Sequence, residues 1–467
     1  MSILTATYTH PLTERWGAPG GPWNRQTLDD LLTGDGPAEA RVAAVAGGLR
    51  QAGVGPGTAV AWQKPNGPDP ITLYRACWRL GAVAAPIHHL ASSAEVGALL
   101  ARLEPTVCLG PDDDLPFGPP VPLGAAPADP ADIAVALATS GSTGTPKLAL
   151  HTHRALVHKV RVMTAVHRLG PDDCTLLAAP LAHISGLLNG VLLAASGMRV
   201  VPMARWDAGE ALELIRREQV TFMIGPPTFF VSLVDAPGFD PVSVGSLRQI
   251  SCGGAGVTPA FVRGTAEALG CRVKRTYGST EAPTITTSTL DDPPDRAAET
   301  DGRPVGLVEL QVADGDGGEL WVRGPELFAG YDDAAATADA FAPDGWFRTG
   351  DLATIDGDGW LTIVGRMKDV IIRGGENIAT AELESVLEAH PDVRQAAVVG
   401  VADRRLGERV CAFVVAAAPF DLTTCQRWFD ERGVTKFKWP ERVVQLDELP
   451  LLPAGKPDRE ALRRLVR

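Results

Sequence analysis

The 467-residue chain lacks the marks of several common protein classes. Its seven cysteines (Cys77, Cys108, Cys174, Cys252, Cys271, Cys411 and Cys425) contain no C-x-x-C pair, which excludes a metal knuckle or a thioredoxin-like redox motif. An odd count in so long a chain predicts reduced thiols and a cytoplasmic protein. The N-terminus, Met1-Ser2-Ile3-Leu4-Thr5, lacks the basic and apolar regions of a secretory signal. No apolar run can span a bilayer, and the longest, around 187–196, is interrupted by Asn189. Positive charge is short too. The 43 Lys+Arg against 56 Asp+Glu leave a net charge of −13. That argues against a general nucleic-acid or anionic-membrane binder but permits a local phosphate site. The 50 glycines and 38 prolines fall below the roughly 25–30% share of a low-complexity chain.

What is present is a globular composition, 45% hydrophobic, in a chain long enough for about two to four domains. From 38 to 290, helix-like segments (38–53, 69–82, 93–104, 153–167, 187–196, 209–219, 258–269) alternate with strand-like ones (59–63, 133–138, 175–179, 199–203, 220–224, 247–251, 272–275). This predicts α/β layers with parallel-rich sheets. The proline-rich stretch 112–130 reads as a surface loop. After 300 the pattern becomes antiparallel, with strands at 319–323 and 352–364, the latter turning at Asp356-Gly357-Asp358-Gly359. From 370 onward a strand, a helix (380–390), two strands (394–401, 409–416) and a helix (422–432) form a small α+β unit.

The densest chemical signal is Thr139-Ser140-Gly141-Ser142-Thr143-Gly144-Thr145-Pro146-Lys147. It follows an apolar strand. Gly141 and Gly144 let the backbone turn and approach a ligand closely. Hydroxyls and backbone N–H groups can donate to phosphate oxygens, and Lys147 adds charge. The stretch fits neither G-x-x-x-x-G-K-[ST] nor G-x-S-x-G.

Other residues are chemically suggestive and, alone, ambiguous. Tyr277-Gly278-Ser279-Thr280-Glu281-Ala282 follows a strand, at the end where α/β sheets bind ligands. Glu281 suits Mg²⁺, Thr280 can donate to phosphate, and Tyr277 offers a flat face to a base. A Thr-Glu pair is also a common helix cap. Asp351 fits two ribose hydroxyls as a double acceptor, or simply closes a turn. Lys456, near the C-terminus, and Lys368 read equally as solvated charges. His183 fits a core histidine, as do His88 and His89, which could also line a pocket. His151, His153 and His158 do not make a persuasive metal set.

The nonapeptide at 139–147 resembles the phosphate loop of the adenylate-forming enzymes, which include acyl- and aryl-CoA synthetases, peptide-synthetase adenylation domains and luciferases. Further stretches match in the family's order. They are 180–186 (Pro-Leu-Ala-His-Ile-Ser-Gly), Gly253-Gly254-Ala255, 277–282, Gly318-Glu319-Leu320 with Arg323-Gly324-Pro325, and Phe347-Arg348-Thr349-Gly350-Asp351. Gly365-Arg366-Met367-Lys368-Asp369, Arg373-Gly374-Gly375-Glu376-Asn377 and Gly455-Lys456 follow. The resemblance implies a large α/β domain with a small barrel-like part (1–367) and a mobile α+β lid domain (368–467). It implies that Thr280 contacts the α-phosphate, Glu281 holds Mg²⁺, Gly253–Ala255 line adenine, and Asp351 with Arg366 hold ribose. It further implies that Lys456 serves adenylation, His183 gates the acyl site, Lys368 is the hinge, and Gly374 and Gly375 pass the pantetheine of coenzyme A. Lys147 is followed by Leu148-Ala149-Leu150 instead of a glycine, Lys456 by Pro457, and 301–319 is a short connection.

The segment 183–189 contains no acid to pair with an α-ammonium, and 224–230, 251–257 and 282–285 are uncharged. A neutral acyl or aryl acid is therefore expected in preference to an amino acid. The expected reaction is ATP-dependent ligation of a small carboxylic acid to CoA. The alternatives are loading of a carrier-protein phosphopantetheine, a luciferase-like oxidoreductase, or an inactive binding module. Lys147, Glu281, Asp351 and Lys456 together argue against the last.

Overall fold

The computed structural model describes residues 8–466 except 19, 24, 25, 35, 126, 127, 140–146, 255, 314, 316, 374, 375 and 453–455. Among the described residues the strands form four sheets that follow one another along the chain. The first contains β1 (Ala59–Trp62), β2 (Val83–Pro86), β3 (Val107–Leu109), β4 (Ile133–Thr139) and β5 (Lys147–Thr152) in the order β3-β1-β2-β4-β5. All its pairings are parallel except β4 with β5.

The second contains β6 (Cys174–Leu177), β7 (Arg199–Pro202), β8 (Phe222–Gly225), β9 (Gln249–Gly253), β10 (Arg272–Tyr277), β11 (Thr286–Thr287) and β12 (Arg303–Pro304). Their order is β12-β11-β10-β9-β8-β6-β7, parallel from β7 to β10 and antiparallel beyond. Strands such as β1, β2, β6 and β8 are buried along their whole length, as expected of parallel sheets covered on both faces. This is why their sequences are continuous apolar runs with no alternation.

The third sheet is a curled antiparallel half-barrel of β13 (Glu309–Val312), β14 (Glu319–Arg323), β15 (Phe347–Ile355) and β16 (Leu361–Arg366). Irregular register near Glu319/Trp321 and Leu352/Ala353 bends it. The C-terminal sheet combines β17 (Val370–Arg373), β18 (Glu376–Ala379), β19 (Val393–Asp403), β20 (Gly407–Ala416) and β21 (Arg442–Gln445). Helices Thr380–Glu388 and Leu422–Glu431 cover it, and its cores draw only on residues between 371 and 466. The α/β organisation expected from the alternation is the one found.

Three local readings are corrected. The 187–196 helix is present but begins earlier and is uneven in pitch, passing from an α-turn (Ile184–Leu187) through a π-turn (Leu188–Leu192) to a 3₁₀ turn (Leu193–Ser196) with right-handed helical backbone at each junction. Asn189 ties this helix to β6. Its Oδ1 accepts from Thr175 Oγ1 at 2.8 Å and its Nδ2 donates to the Leu176 carbonyl, while Gly190 lies hard against Leu177. The 112–130 stretch is not merely a surface loop. Leu115 and Val121 are buried, and the chain crosses the helix Pro37–Gln51 so closely that a Cβ on Gly47 would sit 2.0 Å from the Pro119 carbonyl oxygen. Asp351 lies within β15, not in a turn before it. All seven cysteines are free, and no helix among the described residues is long and apolar enough to cross a membrane.

Candidate active site

The parallel strands β9 and β10 end side by side at Gly253 and Tyr277, the carboxyl edge where open α/β sheets leave a crevice. At Gly253 a Cβ would meet the Thr276 carbonyl oxygen at 2.3 Å, so only glycine allows this approach. After Tyr277 the chain makes a tight loop. A Cβ on Gly278 would lie 2.3 Å from the Thr284 nitrogen. Ser279 closes the inner turn, its N–H donating to the Ala282 carbonyl at 3.0 Å and its Oγ accepting from the Ala282 N–H at 3.1 Å. Thr280 and Glu281 sit at the tip of that turn.

The loop is held from below by buried polar groups. Thr284 has φ of 38°, an unusual value for a β-branched residue. Its carbonyl accepts from Lys159 Nζ at 2.9 Å. Lys159 lies on the helix His153–His167, is fully buried, and pairs with the equally buried Glu326 at 3.0 Å. The Thr280 carbonyl contacts His151 Nε2 at 2.8 Å. Burial pushes His151 down to about 4, so the ring is neutral and its Nε2–H donates. These anchors leave the Thr280 hydroxyl without a hydrogen bond among the described residues.

Glu281 accepts from the Tyr331 hydroxyl on Oε1 at 2.8 Å. Oε2 takes no hydrogen bond among the described residues, and Glu281 makes no ion pair there. No group of three or more His, Cys, Asp or Glu able to hold a metal occurs among the described residues. One carboxylate with a free oxygen, beside a crevice, suits Mg²⁺, which keeps waters and takes substrate phosphates in place of a closed protein cage.

Asp351 is held differently. The Tyr277 hydroxyl donates to its Oδ2 at 2.6 Å, and Arg366 Nε lies 2.9 Å from Oδ1 as an ion pair. Oδ1 is buried and receives no hydrogen bond of good geometry, so it can still accept from a hydroxyl. Burial, with the Asp351 carboxylate beside it, pushes the Tyr277 phenol well above its usual range. It stays protonated and donates. Glu319 of the 318–320 motif holds the preceding residue: its Oε1 accepts from the Gly350 N–H at 3.0 Å, and Gly350 has φ of 72°. From sequence alone Glu319 has no evident task and Tyr277 offers only a flat face.

Lys456, from the C-terminal unit, reaches this group. A Cβ on Gly254 would lie 3.8 Å from Lys456 Cε. Burial pushes its ammonium down to about 8, with Arg366 pushing the same way and Asp351 and Glu281 opposing. Lys368 lowers it as well, so the lysine feels charges of both signs. His183 precedes the α-turn at Ile184–Leu187, and burial pushes it down to about 4. Its ring centroid is 5.2 Å from that of His88, which is stacked on His89 at 4.8 Å. The Nε2 atoms of His88 and His183 are both buried without a hydrogen-bond partner. His88, for which the sequence leaves both a core and a pocket-lining place open, thus shares the surroundings of His183. Its only signal was the His-His pair at the end of β2.

Thr139 and Lys147 are cross-strand partners closing the β4–β5 hairpin. Ser140, Gly141, Ser142, Thr143 and Gly144 between them lie outside the described residues, as do Ala255, Gly374 and Gly375. Lys368 is exposed in a single 3₁₀ turn, Met367–Asp369, between β16 and β17. Tyr331, His151 and Lys159 with its partner Glu326 are not legible in the sequence, because each of these pairings spans fifty positions or more of the chain.

Residues 37–120 and 111–332 match the AMP-binding enzyme family, and 382–456 match the AMP-binding enzyme C-terminal domain. The chain is 32% identical to the medium-chain fatty-acid–CoA ligase of Escherichia coli (strain K12), covering 88% of this chain and 82% of that protein. It is also 32% identical to the salicyl-AMP ligase / salicyl-S-ArCP synthetase of Mycobacterium tuberculosis, covering 95% and 91%. Its fold superposes on ATP-bound MatB from Rhodopseudomonas palustris with a TM-score of 0.84 at 29% identity, covering 92% of each chain.

Proposed function

This chain belongs to the AMP-binding, adenylate-forming enzymes, and we propose that it is an ATP-dependent ligase joining a neutral acyl or aryl carboxylic acid to the thiol of coenzyme A. The observation that carries the reading is the approach of Lys456 to Gly254 at the carboxyl edge of β9 and β10, where Tyr277 holds the Asp351 carboxylate paired with Arg366. Asp351 and Arg366 take the ribose hydroxyls, with Gly253, Gly254 and Ala255 beside the base and Tyr277 orienting Asp351. The 140–144 loop with Thr139 and Lys147 takes the terminal phosphates. Thr280 donates to the α-phosphate. Glu281 holds Mg²⁺, which when bound offsets phosphate charge.

The substrate carboxylate attacks the α-phosphorus, the bond to the bridging oxygen breaks, and pyrophosphate leaves. Negative charge builds on the transferring group, and the Lys456 ammonium stabilises it. The product anhydride is a far better electrophile than the acid. A thiolate then attacks the acyl carbon and AMP leaves. The unit 368–467 turns about Lys368 between these steps, removing Lys456 and bringing Gly374 and Gly375 to the thiol path. His183 stands between the nucleotide and acyl sites. The seven free thiols suit a reducing cytosol, where we place the reaction.

The pocket segments 224–230, 251–257 and 282–285 carry no charge, and Asn189 is consumed by β6. The E. coli relative is named for a fatty acid and CoA. The mycobacterial relative is named for salicyl transfer to a carrier, which favours carrier loading as the second reading. A panel of acids in ATP–pyrophosphate exchange tests the substrate class: benzoate-like or medium-chain acids should exchange and standard amino acids should not. Each active acid is then offered CoA or a holo-carrier protein. Thioester on CoA alone supports the ligase, thioester on the carrier alone supports the second reading, and faster exchange with an amino acid overturns both.

A further inference from the structure

Tyr331 lies outside every motif that defines the site, and its side chain touches two of them. Its hydroxyl donates to Glu281 Oε1 at 2.8 Å, and the Lys147 ammonium lies 5.0 Å from its ring centroid. The hydroxyl is the donor of this bond, since a carboxylate oxygen can only accept. A cation above the ring face is attracted by its quadrupole.

The backbone around Tyr331 is fixed to the same two elements. Tyr331 bridges Ala149 of β5 in antiparallel fashion. The Leu150 N–H donates to the Gly330 carbonyl at 3.0 Å, the Ala329 N–H to the Leu150 carbonyl at 2.7 Å, and the Asp332 N–H to the Leu148 carbonyl at 3.0 Å. The Leu148 N–H returns to Asp332 Oδ1 at 3.0 Å, and Arg102 pairs with the almost fully buried Asp332 carboxylate at 2.6 Å. On the other side the Phe328 N–H donates to the Glu281 carbonyl at 2.9 Å. Phe328 also meets the Tyr331 ring edge-on at 4.9 Å. Residues 328–332 thus form a strap hydrogen-bonded to the strand that starts at Lys147 and to the loop that carries Glu281.

We propose that Tyr331 is a positioning residue that holds the metal-binding carboxylate of Glu281 through its hydroxyl and the phosphate-loop lysine Lys147 through its ring. The inference rests on the reading of Glu281 as the Mg²⁺ ligand. A glutamate on a loop tip has several rotamers. Fixing Oε1 with a neutral donor selects one of them, keeps the full negative charge, and leaves Oε2 for the cation. One side chain then sets the spacing between the cation and the lysine, both of which address the same polyphosphate.

The test uses the whole protein and ATP without carboxylic acid, so that no turnover occurs. ATP affinity is measured by calorimetry with and without Mg²⁺ for the wild type, Tyr331→Phe and Glu281→Gln. Tyr331→Phe keeps the ring and its contact with Lys147. It should cut the Mg²⁺-dependent gain in ATP affinity by about tenfold, as loss of a partner behind a metal ligand does, with metal-free affinity changed by less than about twofold. Glu281→Gln should remove the gain. If Glu281→Gln keeps the gain, the assignment of Glu281 fails and the inference with it. If Glu281→Gln loses the gain while Tyr331→Phe keeps it, or loses affinity equally with and without Mg²⁺, the role of Tyr331 alone is overturned.

Discussion

Two carboxylates act on the charge of Lys456, and each accepts a hydroxyl from a tyrosine, yet their surroundings differ. Asp351 is set in the strand β15, with a side chain only 6% exposed, and Arg366 balances its charge at 2.9 Å. Glu281 sits on a loop tip, half-buried, with no cation paired to it among the described residues. A carboxylate already balanced by a guanidinium is a good acceptor for neutral hydroxyls and a poor seat for a second cation. An unbalanced one retains its charge for a metal. On the proposed function, the same tyrosine–carboxylate pair is turned to two tasks by what stands on the far side of the carboxylate. Lys456 is the group that feels both.

The comparison can be broken most severely at Lys456. Lys456→Ala should lower pyrophosphate exchange by about a thousandfold, the size seen when a donor to developing charge is removed. Thioester formation from supplied acyl-adenylate should persist, and equal loss of both half-reactions would mean that Lys456 does not serve the first step specifically. Glu281→Gln is next. It keeps the shape and removes the charge, and exchange should fall by about a hundredfold with a changed Mg²⁺ dependence. Asp351→Asn should instead raise KM for ATP by about tenfold, the scale of one charged hydrogen bond, and leave the Mg²⁺ dependence as it was. If the two variants show the same Mg²⁺ response, the division of tasks between the carboxylates is wrong.

The mildest effect is on pH dependence. Burial brings the Lys456 ammonium down to about 8, so its charge is present below that pH and lost above it. Between pH 7 and 8.5, kcat/KM for ATP in the exchange reaction should fall by about fourfold as the free enzyme loses that proton. A flat profile over this range in the wild type would show that no group titrating near 8 supports the reaction.

The hydroxyl-rich stretch at 139–147, the carboxylates Glu281 and Asp351 and the lysine at 456 were legible in the sequence. Each is a dense or oddly placed cluster of one chemistry, and their order along the chain resembled one family. The α/β layering was legible too, because buried parallel strands must be continuous apolar runs. The uneven pitch of the helix after His183 was not. A periodic apolar pattern gives no sign that Asn189 will spend its amide on Thr175 and the Leu176 carbonyl. Nor was the burial of Leu115 and Val121 in a proline-rich segment, which depends on two adjacent glycines of the helix Pro37–Gln51 letting that segment come close.

By itself the sequence determined which groups could do chemistry and what layers would carry them, because side-chain type and periodicity are local properties. Only the tertiary structure decided how those groups are paired. Tyr331 reaches Glu281 across fifty positions, Tyr277 reaches Asp351 across seventy-four, and Lys159 reaches the Thr284 carbonyl across 125. Such pairings arise where the half-barrel region and the helix His153–His167 meet the carboxyl edge of the second sheet. Charge, hydrogen bonding and burial act through distance in space, and distance along the chain does not measure it.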